Sequence, residues 1–149
     1  MRLYAFASNN LTNIWAGIGA GMWAVAASED PGFTKTRIGK AAKMPVGAFG
    51  LLYCTETRSF TVPFVVYSKA RDDKIKNVWP EEWVLPFNMK PLGTPRRQLG
   101  RERARDLLPS LRDRKVDLNK LIPVPPTFAF NGSDVGDDDW SVLINELAE

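Results

Sequence analysis

"SNNLTNIWAGIGAGMW", residues 8–23, is the stretch on which the reading of the whole chain turns. Three asparagines crowd its first half, Gly17, Gly19 and Gly21 alternate near its end, and Trp15 and Trp23 bracket those glycines. A dinucleotide fingerprint would need G-x-G-x-x-G between a strand and a helix. Gly17 and Gly19 fit, but Met22 stands at the third position and no phosphate-loop lysine follows. The segment also leads into "MWAVAAS", which has the composition of a strand. The glycines therefore read as flexible backbone at a pocket rim, with Trp15 as packing or rim. The asparagines and Trp23 carry more chemistry. A side-chain amide offers a donor and an acceptor together, which suits the edge of a nucleobase. A tryptophan face offers a stacking surface worth about 1–3 kcal/mol per base.

The bulk composition narrows the function classes. A chain of 149 residues with 44% hydrophobic and 25% charged residues fits one soluble globular core. It contains no histidine, which removes the commonest general base and the commonest metal ligand. The single cysteine, Cys54, lies in the strand-like "GLLYCTE", so a zinc site of ordinary composition cannot be assembled. An enzyme is disfavoured, and no cofactor or metal is expected. The absence of a long apolar run or secretory signal and the lone thiol point to a cytoplasmic protein without membrane attachment. Residues 1–100 carry a net charge of +6 and residues 101–149 a net of −3. A basic first part suits an anionic partner such as nucleic acid.

Along the chain, "LYAFAS" and "MWAVAAS" read as strands, and "TKTRIGKAAKM" as a short helix capped by Thr34 or Thr36. "GAFGLLYCTETRSFTVPFVVYSKA" reads as a hairpin around "TETRS", with Pro63 implying an edge or a bulge. "WVLPFNMKPL" is another strand. "GRERARDLLPSLRDR" has a helical charge pattern in which Pro109 starts a new turn or a kink. "IPVPPTFAF" is extended, and "NGSDVGDDDWSVLINEL" is a loop feeding a C-terminal helix. Trp140, Leu143 and Leu147 form that helix's docking face, and the acids before Trp140 suit its N-terminus. The expected class is α/β (α+β), a small curved mixed sheet or partial barrel flanked by helices. Residues 1–98 form the expected core, and residues 99–149 a helical and extended segment that packs on it or leads to an effector domain.

The run S-N-N-x-x-N followed after nine residues by Trp, carried by Ser8, Asn9, Asn10, Asn13 and Trp23, resembles the opening of the YTH domain, a reader of N6-methyladenine. A helix, a hairpin and a second tryptophan before another strand continue the likeness, in "TRIGKAAKM", "FGLLYCTETRSFTVPFVVYSKA" and "NVWPEEWVLPFNMKPLG". "VWPEEW" is also similar to the related EVE domain of the same PUA-like fold. The likeness covers residues 3–95 and implies roles residue by residue. Asn13 would bond the adenine edge and Asn9 would touch the base through its backbone. Trp23 would be one cage wall, and the Ala24 carbonyl would accept from the methylated amine. The second wall is Trp79 by the EVE-like layout or Trp83 by "EWVLP", and Leu92 or Met89 would add an aliphatic wall. Ala7 and Ala24 stand where eukaryotic readers usually carry lysine and often carry serine or threonine.

Burying one methyl is worth only about 0.8 kcal/mol. A reader therefore needs a closely packed cage, polar contacts for base identity and phosphate contacts that offset flipping. Ser8 and the basic stretches "KARDDKIK" and "RRQLGRERAR", with Lys69, Arg71, Lys74, Lys76, Arg96 and Arg97, are the phosphate candidates. The resulting expectation is a non-catalytic reader of a flipped or unpaired N6-methyladenine. Its partner is methylated nucleic acid, DNA favoured over RNA, in the setting of a restriction specificity module with an effector. The alternative is an EVE-like reader of 5-methylcytosine or 5-hydroxymethylcytosine, or of modified RNA.

Overall fold

The computed structural model describes all 149 residues, Met1–Glu149. The opening stretch forms a helix where the glycines suggested a flexible link. β1 (Arg2–Ser8) leads into α1 (Leu11–Ala20) and then β2 (Met22–Ala26). Asn10 caps α1 by accepting from the Asn13 amide at 2.8 Å, which satisfies one of the orphan donors of the first turn. Gly21 ends the helix at φ 64°, a left-handed position that favours glycine. Gly17 is there for space. A β-carbon on it would lie 2.9 Å from both the Met22 carbonyl and the Trp23 ring. The helical glycine cost of about 1 kcal/mol is thus the condition for seating Trp23 against α1.

α2 (Pro31–Lys43) starts earlier than the sequence reading placed it, with Asp30 as the cap in place of Thr34 or Thr36 and Pro31 at its first turn. The hairpin is β3 (Phe49–Cys54) and β4 (Ser59–Val66), and a short β5 (Lys74–Ile75) precedes β6 (Trp83–Pro91). β7 (Gln98–Gly100) is followed by α3 (Arg101–Leu107), and Pro109 begins a separate turn, α4 (Pro109–Arg112). α5 (Leu118–Leu121), a 3-10 turn at Pro126–Phe128, β8 (Gly132–Asp134) and α6 (Asp137–Leu147) complete the chain. The region read as a loop before α6 therefore contains a strand.

The sheet runs β2-β6-β4-β3-β1-β8, with β5 on β6 and β7 on β4, and curls into a half-barrel flanked by six helices. β1 lies parallel to β3, and the remaining pairs are antiparallel. Alternation along the central strands buries both faces. Tyr4, Phe6, Leu52 and Cys54 point into one cluster, while Leu3, Ala5, Leu51 and Tyr53 point into the other. Pro63 marks a bulge. Leu51 pairs with Pro63 and Leu52 with Thr61, leaving Val62 unpaired at φ 45°. The extra residue reverses the alternation, so Phe60 joins the second cluster whereas Val62 and Phe64 join the first. The first cluster gathers Trp23, Trp79 and Phe87. The second is completed from the C-terminal third by Leu108, Leu121, Leu143 and Leu147. No helix is long and apolar enough to cross a membrane.

Candidate nucleic-acid interface

The end of β1 and the start of α1 make one tight polar turn. The Ser8 hydroxyl donates to the Asn10 carbonyl at 2.7 Å, and Asn10 caps the helix, so both side chains are committed to the backbone. Asn9 and Asn13 are directed elsewhere. They line a cavity of about 120 Å³ together with Phe6, Ser8, Trp23, Ala24, Ala26, Arg37 and Trp83. Its remaining wall comes from the C-terminal third, through Val124, Pro125, Pro126 and Ala129. A shallower surface depression adjoins it over Asn9, Asn10, Asn13, Pro80, Glu81 and Trp83.

Three tryptophans converge here. Trp23 is 1% exposed and meets Trp79 at 5.6 Å and 80°, and Trp83 at 5.4 Å and 70° between rings. Trp79 and Trp83 stack on each other at 4.3 Å and 20°. Trp23 and Trp83 therefore form a corner, with no base-sized gap between parallel faces. Trp83, half-buried, lines the cavity. Trp79 does not line it: it is 3% exposed and its indole N–H donates to the Asn13 carbonyl at 2.9 Å. Trp79 backs Trp83 and ties the loop before β6 to α1. Of the two open alternatives, the cavity-facing side chain is Trp83. Trp15, at 44% exposed, stands apart on the solvent face of α1.

Other expectations land differently. Leu92 follows β6 at the end opposite Trp83, on the order of 25 Å along the strand, where its carbonyl accepts from Glu149. It is no part of this cavity, and neither is Met89, which is buried in the first core cluster. Ser8 is buried in its turn and is not placed to meet a phosphate. Lys69 donates to the Ala42 and Met44 carbonyls and so closes the C-terminus of α2. Arg71 rests on Ser68. Lys74 and Lys76 share Glu82 at 3.6 and 3.3 Å, beside Trp83, in surface pairs too weak to withdraw them from a phosphate. Arg96 pairs with Glu149 at 3.2 Å beyond the far end of β6, and Arg97 is exposed next to it. The Thr94 hydroxyl and then Arg96 hold the Glu149 carboxyl below the usual carboxylate range.

Two features were missed in the sequence. One is Arg37, whose inward orientation depends on where α2 begins. The other is Arg58, which joins Arg101, Arg103 and Arg105 of the basic stretch in one arginine surface. That surface is continuous with the polar turn: Thr55 donates to the Ser8 carbonyl from its backbone and reaches the Asn9 carbonyl from its hydroxyl, and Arg101 donates to the Arg58 carbonyl. Arg103 is occupied by Glu146 at 3.2 Å, whereas Arg58 and Arg105 are exposed. The stretch "RRQLGRERAR" contained Arg101, Arg103 and Arg105, but the strand β7 that separates its two halves was not legible in it. No three acidic, cysteine or histidine side chains gather as a metal-ligating set.

No family model matches the chain, and no curated protein matches it in sequence. Solved structures match it in fold. The MmI1 YTH domain aligns with a TM-score of 0.59 at 15% identity, over 97% of this chain and 96% of that one. The YTH domain of Toxoplasma CPSF4 aligns at 0.57 and 16% identity, over 99% and 88%. The YTH domain of Zygosaccharomyces rouxii MRB1, solved in complex with N6-methyladenosine RNA, aligns at 0.51 and 18% identity, over 73% and 68%. The fold of this chain is that of YTH domains.

Proposed function

We propose that this chain is a non-catalytic reader of nucleic acid carrying a modified base, and that the base is N6-methyladenine. The observation that carries this reading is the meeting of Asn9, Asn13, Trp23, Ala24 and Trp83 around one ring-sized cavity. A cavity of about 150 Å³ lined by apolar groups takes benzene, so a space of about 120 Å³ is on the scale of a ring rather than of a whole nucleotide. In this reading Asn13 supplies the amide that identifies the adenine edge, and the Ala24 carbonyl accepts from the methylated amine. The methyl packs into the corner of Trp23 and Trp83. Arg58, Arg105, Lys74 and Lys76 hold the flanking phosphates. The likeness to structures such as the MRB1 complex supports the class of ligand.

On the family resemblance, the polymer in this reading is DNA, and the setting is a restriction specificity module that works with an effector. That matched structure holds RNA, so the polymer is decided by measuring both. Competition with free nucleosides against a labelled methylated oligonucleotide tests the base assignment. N6-Methyladenosine should displace the label at concentrations well below those needed for adenosine, 5-methylcytidine or 5-hydroxymethylcytidine. Displacement led by either modified cytidine would replace the adenine reading with the EVE-like one.

A further inference from the structure

Arg37 is the least compensated polar side chain in the molecule. It is 5% exposed on the inner face of α2. One guanidinium nitrogen donates to the Ala26 carbonyl at 2.8 Å, and the guanidinium carbon lies 5.0 Å from the Phe33 ring centroid. Its Nε–H is buried without any acceptor, and Arg37 forms no ion pair, although it also borders a second cavity that includes Asp72 and Asp73. Burial lowers its pKa with no opposing charge at work. Buried donors are almost always satisfied, and a buried cation is normally paired, so an orphan of this kind needs a reason. Arg37 also lines the same cavity as Asn13, Trp23, Ala24 and Trp83.

We infer that Arg37 is a specificity-determining residue whose guanidinium donates to N7 on the Hoogsteen edge of the base seated in this cavity. The inference rests on the base-reading function proposed above. The size of the cavity favours a ring acceptor over a phosphate, because sugar and phosphate stay outside a space of about 120 Å³. The positions along β2 agree. Ala24, whose carbonyl takes the methylated amine in that reading, and Ala26, whose carbonyl holds the guanidinium, are two residues apart on one strand. N6 and N7 of adenine share one base edge, the first a donor and the second an acceptor. An acceptor at Ala24 and a donor at Arg37 match that order. The arrangement would read the adenine edge from β2 and α2 while Asn13 reads it from α1.

The test uses the full chain and three oligonucleotides of one sequence. They carry adenine, N6-methyladenine or 7-deaza-N6-methyladenine at a single position, and affinity is read by fluorescence anisotropy. The wild-type protein should bind the 7-deaza oligonucleotide about tenfold more weakly than the N6-methyladenine one, the scale of a single charge-assisted hydrogen bond. Arg37→Met should weaken N6-methyladenine binding by a similar factor and no longer distinguish the two methylated oligonucleotides. Equal wild-type affinity for both, with preference over adenine kept, would overturn the Arg37 assignment and leave the reader function standing. Loss of affinity in Arg37→Met that is equal on all three, with the 7-deaza penalty retained, would also overturn it and make Arg37 a phosphate or packing residue. No preference for N6-methyladenine over adenine in the wild type would remove the function and the inference together. Should Arg37→Met fail to fold, the wild-type 7-deaza comparison decides the matter alone.

Discussion

Gly17 shows two opposed effects at a single residue. On helix propensity alone, Gly17→Ala should stabilise an interior helical position by up to about 1 kcal/mol. The added methyl, however, would stand 2.9 Å from the Trp23 ring and the Met22 carbonyl, both of them packed. Overpacking of this kind costs about 1–3 kcal/mol, so steric conflict wins. Urea denaturation should show a lower midpoint for Gly17→Ala, and methyl selectivity should fall with it as Trp23 is displaced. Asn13→Ala should behave in the opposite way. Its position on α1 tolerates alanine, and no protein group depends on its side-chain amide, since the Trp79 contact is to its backbone carbonyl. Stability should change little while affinity for the methylated oligonucleotide drops about tenfold, the loss of one or two hydrogen bonds. Equal affinity of Asn13→Ala and wild type would take Asn13 out of the site.

At the scale of elements, legibility followed local chemistry. The strands β1 and β2, the hairpin and β6 were readable because they are apolar runs of strand-like composition, and α6 because its apolar residues recur at helical spacing. α1 was not, since Gly17 and Gly19 within it argue against a helix, and the close approach of Trp23 explains Gly17 alone. β8 and β7, three residues each, exist through pairing with β1 and β4 and carry no local pattern. In the candidate site, Asn9, Asn13, Trp23 and Ala24 were legible as a spaced motif on contiguous elements. The choice between Trp83 and Trp79 was not, because it depends on how one loop folds back onto α1, and Leu92 was misplaced for lack of the strand's length. The C-terminal third also contributes structure that the site uses. Leu143 is fully buried in the second core, so Leu143→Ala should cost about 2–5 kcal/mol. Because β8 pairs with β1 within the one sheet, chemical denaturation should remain a single transition, with tryptophan fluorescence and circular dichroism coincident.

For the whole molecule, charge sets how binding responds to solution conditions. Contacts to phosphates by Arg58, Arg105, Lys74 and Lys76 should make log affinity fall linearly with log salt. Removing Arg58 or Arg105 should lessen the steepness of that line by about one unit each while leaving methyl selectivity intact. With no histidine in the chain, affinity should stay flat between about pH 6 and 7.5. Stability should fall in acid. Asp138, held below the usual carboxylate range by its hydrogen bond to Arg114, lends stability above the ordinary carboxylate pKa and loses it as pH falls through its lowered value. The central claim is that this half-barrel distinguishes one methyl group on adenine, and equilibrium binding to matched oligonucleotides with and without a single N6-methyladenine tests it most directly. The account predicts at least about tenfold tighter binding to the methylated strand, more than the few-fold that methyl burial alone would give; equal affinities would contradict it.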